Sequence, residues 1–228
     1  MTITMTRDSN NVVATARRAA RLLAAAVLFT TAAGAQDTQR AQEAQGPWRI
    51  GVSTGGYVPL SSLIVAADTR DTHLGAGPSF SLDAQYRLRS SLALYGNGTL
   101  AFGDVRLGSS IQPAVVGPSS QVMLAGGTAG VFLTSPGLLG EHLQPTLRVG
   151  GGFKFYSFDL TDAESQLRPT ADIGVGLRGI GVGRIDVTAE VRYLLSTFDQ
   201  SKLPTRGIAP QNQRQNDLVL SIGFGIRP

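Results

Sequence analysis

Imidazole chemistry in this chain rests on two residues, His73 and His142, and thiol chemistry is excluded because there is no cysteine. A hydrolytic site needs a nucleophile and its base within hydrogen-bond reach. His73 falls in a long loop and His142 in a short turn, at opposite ends of the fold derived below, so the two cannot cooperate. No catalytic residue is assigned. The segment Asp68-Thr-Arg-Asp71-Thr-His73 imitates a metal-ligand cluster, but its spacing matches no metal template and solvated charge accounts for it. Gly150-Gly151-Gly152 lacks the following helix that a phosphate loop requires. Neither a metal nor a cofactor is expected.

What remains is a set of charged residues at alternate positions, and the elements that carry them read as strands. Phe80, Leu82, Ala84, Tyr86 and Leu88 alternate with Ser81, Asp83, Gln85, Arg87 and Arg89. Ile185, Val187, Ala189, Val191 and Tyr193 alternate with Asp186, Thr188, Glu190 and Arg192, and Pro169, Ala171, Ile173, Val175 and Leu177 with Thr170, Asp172, Gly174, Gly176 and Arg178. Leu143 to Tyr156 and Asp217 to Arg227 repeat the scheme. With the less regular runs Trp48 to Val58, Ser91 to Gly103 and Gln121 to Leu133, about eight strands result, most near the 9–11 residues that a tilted strand needs to cross a bilayer. In the run from Gln121, three glycines blur the alternation.

The connections alternate in length. Those around Arg89-Ser90, Thr134 to His142 and Gly179 to Gly183 are short, and Asp159 to Gln166 is modest. Pro59 to Pro78, Asp104 to Ser120 and Thr197 to Asn216 are long and polar. Short turns on one side and long loops on the other are expected of an outer-membrane barrel threaded from the periplasm. Upstream, three arginines, an apolar run from Leu22 to Phe29 and the small residues Ala33-Gly34-Ala35 give residues 1–35 the layout of a cleaved signal peptide, with Met1 or Met5 as the start. Residues 36–47 read as a flexible leader and 48–228 as the barrel. The +4 formal charge is concentrated in the first segment, in Arg7, Arg17, Arg18 and Arg21, and the remainder is nearly neutral. Nucleic-acid binding is not expected.

Alternation does not say which face points outward. A soluble lipocalin-like cup would hold its apolar residues inside. Three features favour the opposite arrangement. Aromatic residues cluster near strand ends, Trp48, Tyr86, Phe132 and Phe224 toward the turns and Phe80, Phe102, Phe153, Phe155 and Tyr193 toward the loops, as interfacial girdles do. The polar face carries glycines, which make room for long neighbours inside a narrow lumen. Lysine, common on exposed β surfaces, occurs only at 154 and 202. Asp83, Arg87, Arg148, Lys154, Asp172, Arg178, Asp186, Glu190 and Arg192 must then meet and pair inside the barrel as a structural network.

From Trp48 to Pro228 the chain resembles the small eight-stranded outer-membrane β-barrels of the OmpA/OmpX type, on the signal peptide, the alternating strands, the loop asymmetry and the terminal strand Leu218-Val-Leu-Ser-Ile-Gly-Phe-Gly-Ile226. It departs from that family's usual terminal aromatic, ending Ile226-Arg227-Pro228. The resemblance implies an all-β, single antiparallel up-and-down transmembrane barrel of the cell envelope, with outer-membrane lipid and the barrel-assembly machinery as partners and an unidentified partner at the extracellular loops. The implied role is non-enzymatic, structural or in surface interaction. Neither histidine has a serine two residues on, as barrel-wall deacylases would require. The alternatives are a narrow pore or transporter of small apolar molecules, and the soluble lipid-binding cup.

Overall fold

In the computed structural model the described residues are 46–64, 72–106, 121–135, 138–139, 143–159, 163–180, 185–202 and 212–228, so the expected signal peptide and nearly all of the leader lie outside them. The strands are β1 (Trp48–Pro59), β2 (Ser62–Ile64), β3 (Thr72–Leu74), β4 (Gly77–Arg89), β5 (Leu92–Arg106), β6 (Gln121–Thr134), β7 (Leu143–Phe158), β8 (Gln166–Ile180), β9 (Ile185–Asp199) and β10 (Asn212–Ile226). Eight of them, β1 and β4 to β10, form an all-antiparallel up-and-down barrel. Each pairs with its neighbours in sequence, and β1 closes the cylinder on β10, with Ile50 opposite Ile226 and Val58 opposite Leu218. Closure leaves the barrel no free edge.

The alternation settles the orientation. Leu82 is 59% exposed, Ile222 61% and Phe224 59%, whereas Asp172 and Asp217 are 0% exposed and Arg148 and Arg192 2%. Apolar residues form the outer wall and charged residues fill the lumen, the reverse of the soluble cup. Glycines in the lumen give the arginines their space. A methyl group on Gly174 would stand 2.8 Å from Arg148 Cγ and 3.0 Å from Arg192 Cγ. On Gly225 it would collide with the Arg49 guanidinium.

The barrel is taller than the alternation indicates. β9 runs on to Asp199 and β10 begins at Asn212, shortening the connection expected from Thr197 to Asn216. The outward residues added there, Thr197, Asp199, Arg214 and Asn216, are polar, so apolar–polar alternation does not mark them. The expected loop Pro59 to Pro78 also contains two strands. β2 pairs with β3, and β3 pairs with β5 through His73–Arg106 and Leu74–Val105. This fold-back buries Leu74 at the loop-side end of the lumen. Asp68, Asp71 and His142 lie outside the described residues.

If the outer wall is lipid-facing, a charge near mid-height is costly there. Ile222→Arg is expected to destabilise the barrel in liposomes by about 2–4 kcal/mol, and Ile222→Val by less than about 1.5 kcal/mol. Urea unfolding followed by heat-modifiable gel mobility checks both values.

Candidate functional site: the lumen and its turn-side mouth

The lumen is layered along its axis. At the turn end, Arg49 Nε donates to both carboxylate oxygens of Asp186 at 2.9 Å, and Arg227 Nη2 stands 3.6 Å from the same group. Arg178 Nη2 donates to Gln85 Oε1 at 2.7 Å, and Gln85 Nε2 donates onward to Asp83 at 3.0 Å. The Arg178 guanidinium lies 4.8 Å from the centre of the Phe132 ring.

Asp172 organises the middle layer. It accepts from Arg192 Nη2 at 2.7 Å, Thr128 Oγ1 at 2.8 Å and the Tyr95 hydroxyl at 3.2 Å, with Arg148 Nη1 at 3.9 Å. Arg148 Nη2 donates to Asp83 at 2.8 Å, and its guanidinium covers the Tyr95 ring at 4.4 Å. Arg148 Nε is 3.0 Å from Glu190 Oε1, but both atoms lack a well-aligned hydrogen bond, so this contact is Coulombic. Arg192 Nη1 completes the layer by donating to Thr99 Oγ1 at 2.9 Å.

Nearer the loops the most deeply buried ion pair among the described residues is Lys154–Asp217, with Arg168–Asp199 and Lys202–Glu164 in more exposed positions. Lys154 Nζ meets Asp217 and donates to the Tyr57 hydroxyl at 3.0 Å, and that hydroxyl donates to Asp217 at 2.6 Å. The ammonium also lies 4.7 Å from the Tyr156 ring centre and 4.9 Å from that of Tyr57, a cation–π arrangement that helps replace lost water. Above it the interior holds an apolar cluster beside the buried amides of Gln166, Gln200 and Gln215. Leu74, Val105, Val122, Leu124, Phe198 and Val219 form one buried cluster, with Tyr156 packed edge-on against Phe198 at 5.3 Å.

Eight of the nine charged residues expected in the lumen thus meet in pairs or in hydrogen-bonded chains, and Arg87 lies on the same inward face at the turn end. Sequence reasoning missed Arg49 and Asp217, the partners of Asp186 and Lys154. Parity carried the signal for both: Arg49 lies between outward Trp48 and Ile50, and Asp217 precedes outward Leu218. Among the aromatic residues, Trp48, Phe80, Tyr86, Phe102, Phe153 and Phe224 are exposed, and Phe155 and Tyr193 half-exposed, on the outer wall. Trp48 and Tyr86 contact each other edge-on at 5.0 Å. Phe132 is the correction. It is 3% exposed and points into the lumen, opposite Ala93 on β5 and Arg148 on β7. The inward face of β6 is itself apolar at Val122 and Leu124, and Gly126, Gly127 and Gly130 hide its phase.

The interior has little free volume. A gap bordered by Tyr57, Lys154, Leu194 and Arg192 is ≈ 20 Å³, and one at the turn-side mouth is ≈ 40 Å³. Depressions of ≈ 730 and ≈ 780 Å³ lie among outward side chains of the wall, such as Leu147, Val175 and Ile222 in one and Phe80, Leu82 and Phe153 in the other.

No protein-family model matches the sequence, and comparison with curated proteins gives no match. Solved structures do match. Neisserial surface protein A aligns with a TM-score of 0.56 at 15% identity, over 80% of this chain and 98% of that one. Outer membrane protein AlkL, determined in DMPC lipid bilayers, aligns with a TM-score of 0.50 at 22% identity, over 80% of this chain and 90% of that one. The fold is that of the eight-stranded outer-membrane barrels.

Removing Asp172 leaves Arg192 buried without its partner. Asp172→Ala is expected to cost about 3–5 kcal/mol in urea unfolding, and adding Arg192→Met is expected to restore part of that loss.

Proposed function

We propose that this chain is a non-enzymatic outer-membrane β-barrel that acts as a structural or surface-interaction element of the cell envelope and does not conduct through its lumen. The observation that carries the reading is an apolar wall around an interior closed by paired charges and, above them, by packed apolar side chains. Outer-membrane lipid is then its solvent, the outward aromatic residues are its interfacial belts, and the barrel-assembly machinery inserts it. With the interior filled, interaction falls to the loop-side surface, where the connections are long.

A conduit for small apolar molecules is the second reading, favoured by the apolar chemistry of the loop-side interior. Volume opposes it. The ≈ 20 Å³ gap is far below the roughly 300–1,000 Å³ of a small-molecule pocket.

Four measurements test the proposal. The folded, heat-modifiable band is expected in the membrane fraction, and a folded soluble band contradicts it. Planar bilayers holding the wild-type barrel are expected to show no stepwise current, and liposomes no accelerated uptake of a small apolar dye. Glu190→Lys, which sets a cation against Arg148, is expected to lower the folded yield while leaving the bilayer silent. A current appearing in normally folded Glu190→Lys would point to an ion pathway instead.

A further inference from the structure

The ≈ 40 Å³ cavity at the turn-side mouth is bordered by Arg49, Arg87, Arg89, Arg178 and Arg227, and no carboxylate is among its described lining residues. Asp186, in the layer just above, is already engaged by Arg49 and Arg227. Arg178 makes this more than a basic rim. Its side chain is only 5% exposed, its hydrogen bond goes to the neutral amide of Gln85, and its buried Nε has no partner. Among the described residues no carboxylate lies within ion-pair distance of it. Asp186 and Asp83 act on it only from beyond ion-pair distance, so a buried guanidinium bordering this polar cavity gains from an anion that enters. Arg89, exposed at the rim, likewise makes no ion pair among the described residues.

We propose that this mouth is an oxyanion site for a phosphate-class group, with Arg178 as the inner ligand and Arg89 as an outer one. The planar guanidinium fork binds tetrahedral oxyanions through paired N–H donors. The cavity exceeds the roughly 10–15 Å³ that holds one water, so a compact anion fits where a sugar or nucleotide does not. Trp48 and Tyr86 stand beside it on the outer wall. The phosphate therefore arrives either as a free ion or on a lipid headgroup, through the same chemistry.

The full chain, refolded in a phosphate-free maltoside detergent, is titrated with inorganic phosphate at constant ionic strength, with calorimetry and phosphorus NMR linewidth as readouts. Saturable binding is expected. Arg178→Gln is expected to weaken it at least about tenfold and Arg89→Ala about threefold. Heat-modifiable mobility establishes that each variant is folded, and if Arg178→Gln does not fold, Arg89→Ala decides. Displacement of inorganic phosphate by a short-chain phosphatidic acid identifies a lipid headgroup as the source, and binding without displacement identifies the free ion; both support the site. Phosphate acting no differently from chloride overturns it, as does wild-type affinity in the folded variants.

Discussion

An ion buried in the middle of a narrow barrel loses most of its hydration, so partners from the barrel must take the place of water. That constraint governs the rest of this structure. Asp172 shows how it is met, by two arginines, a threonine and a tyrosine drawn from four other strands. The middle layer takes Asp83 from β4, Tyr95 from β5, Thr128 from β6, Arg148 from β7, Asp172 from β8 and Arg192 from β9. Attraction between such charges barely repays their desolvation, so the network is not primarily a source of stability. What it supplies is register. A slip of one residue in any strand would turn an ion outward against the apolar side and leave its partner unpaired.

The same reasoning explains why the interior changes chemistry along its axis. Below, where the outer wall carries Leu82, Val187, Ile222 and Phe224, the inside is ionic. Above, where Asp104, Gln121 and Arg214 face outward, the inside holds the apolar Val105, Val122 and Phe198 beside the uncharged amides of Gln166, Gln200 and Gln215. The pattern is the one expected if lipid surrounds the lower wall and water the upper. The crossover between the two interior chemistries lies around the Lys154–Asp217 pair.

That crossover also set what could be read from the sequence. Period-two alternation is strong only where one face is uniformly apolar, so the parts of β4, β8, β9 and β10 with an apolar outer face were legible to within a few residues. Above the crossover, Phe198 and Leu194 point inward while Leu195 points outward, and the pattern loses contrast. The upper turns of β9 and β10 and the β2–β3 fold-back disappeared for that reason. Phe132 failed differently. In β6 both faces carry apolar residues and glycines occupy the phase-setting positions, so only pairing with Ala93 and Arg148 fixes its direction. The lumen charges were legible as a set because parity alone assigns them to one side. Their pairing was not, since Arg49–Asp186 and Lys154–Asp217 join residues far apart in the chain, and only barrel closure brings them together.

A filled interior leaves the two ends as the places where this protein meets solvent, and they are unlike each other. The loop-side end is sealed by Leu74, Val105 and Phe198, which offer nothing to an ion. At the turn end each carboxylate among the described residues is already engaged. Asp83 and Glu190 are drawn up toward Arg148, Asp172 toward Arg192, and Asp186 is shared by Arg49 and Arg227. Arg178 is left with an amide and an aromatic ring, which support a guanidinium without neutralising it. A barrel needing only a closed lumen could have placed a methionine there, with similar volume and no desolvation cost. Retaining a charge at that point has a physical rationale if an anion from outside completes the layer, so that the turn-side mouth, unlike the rest of the lumen, is a place where the pairing rule is met by a ligand.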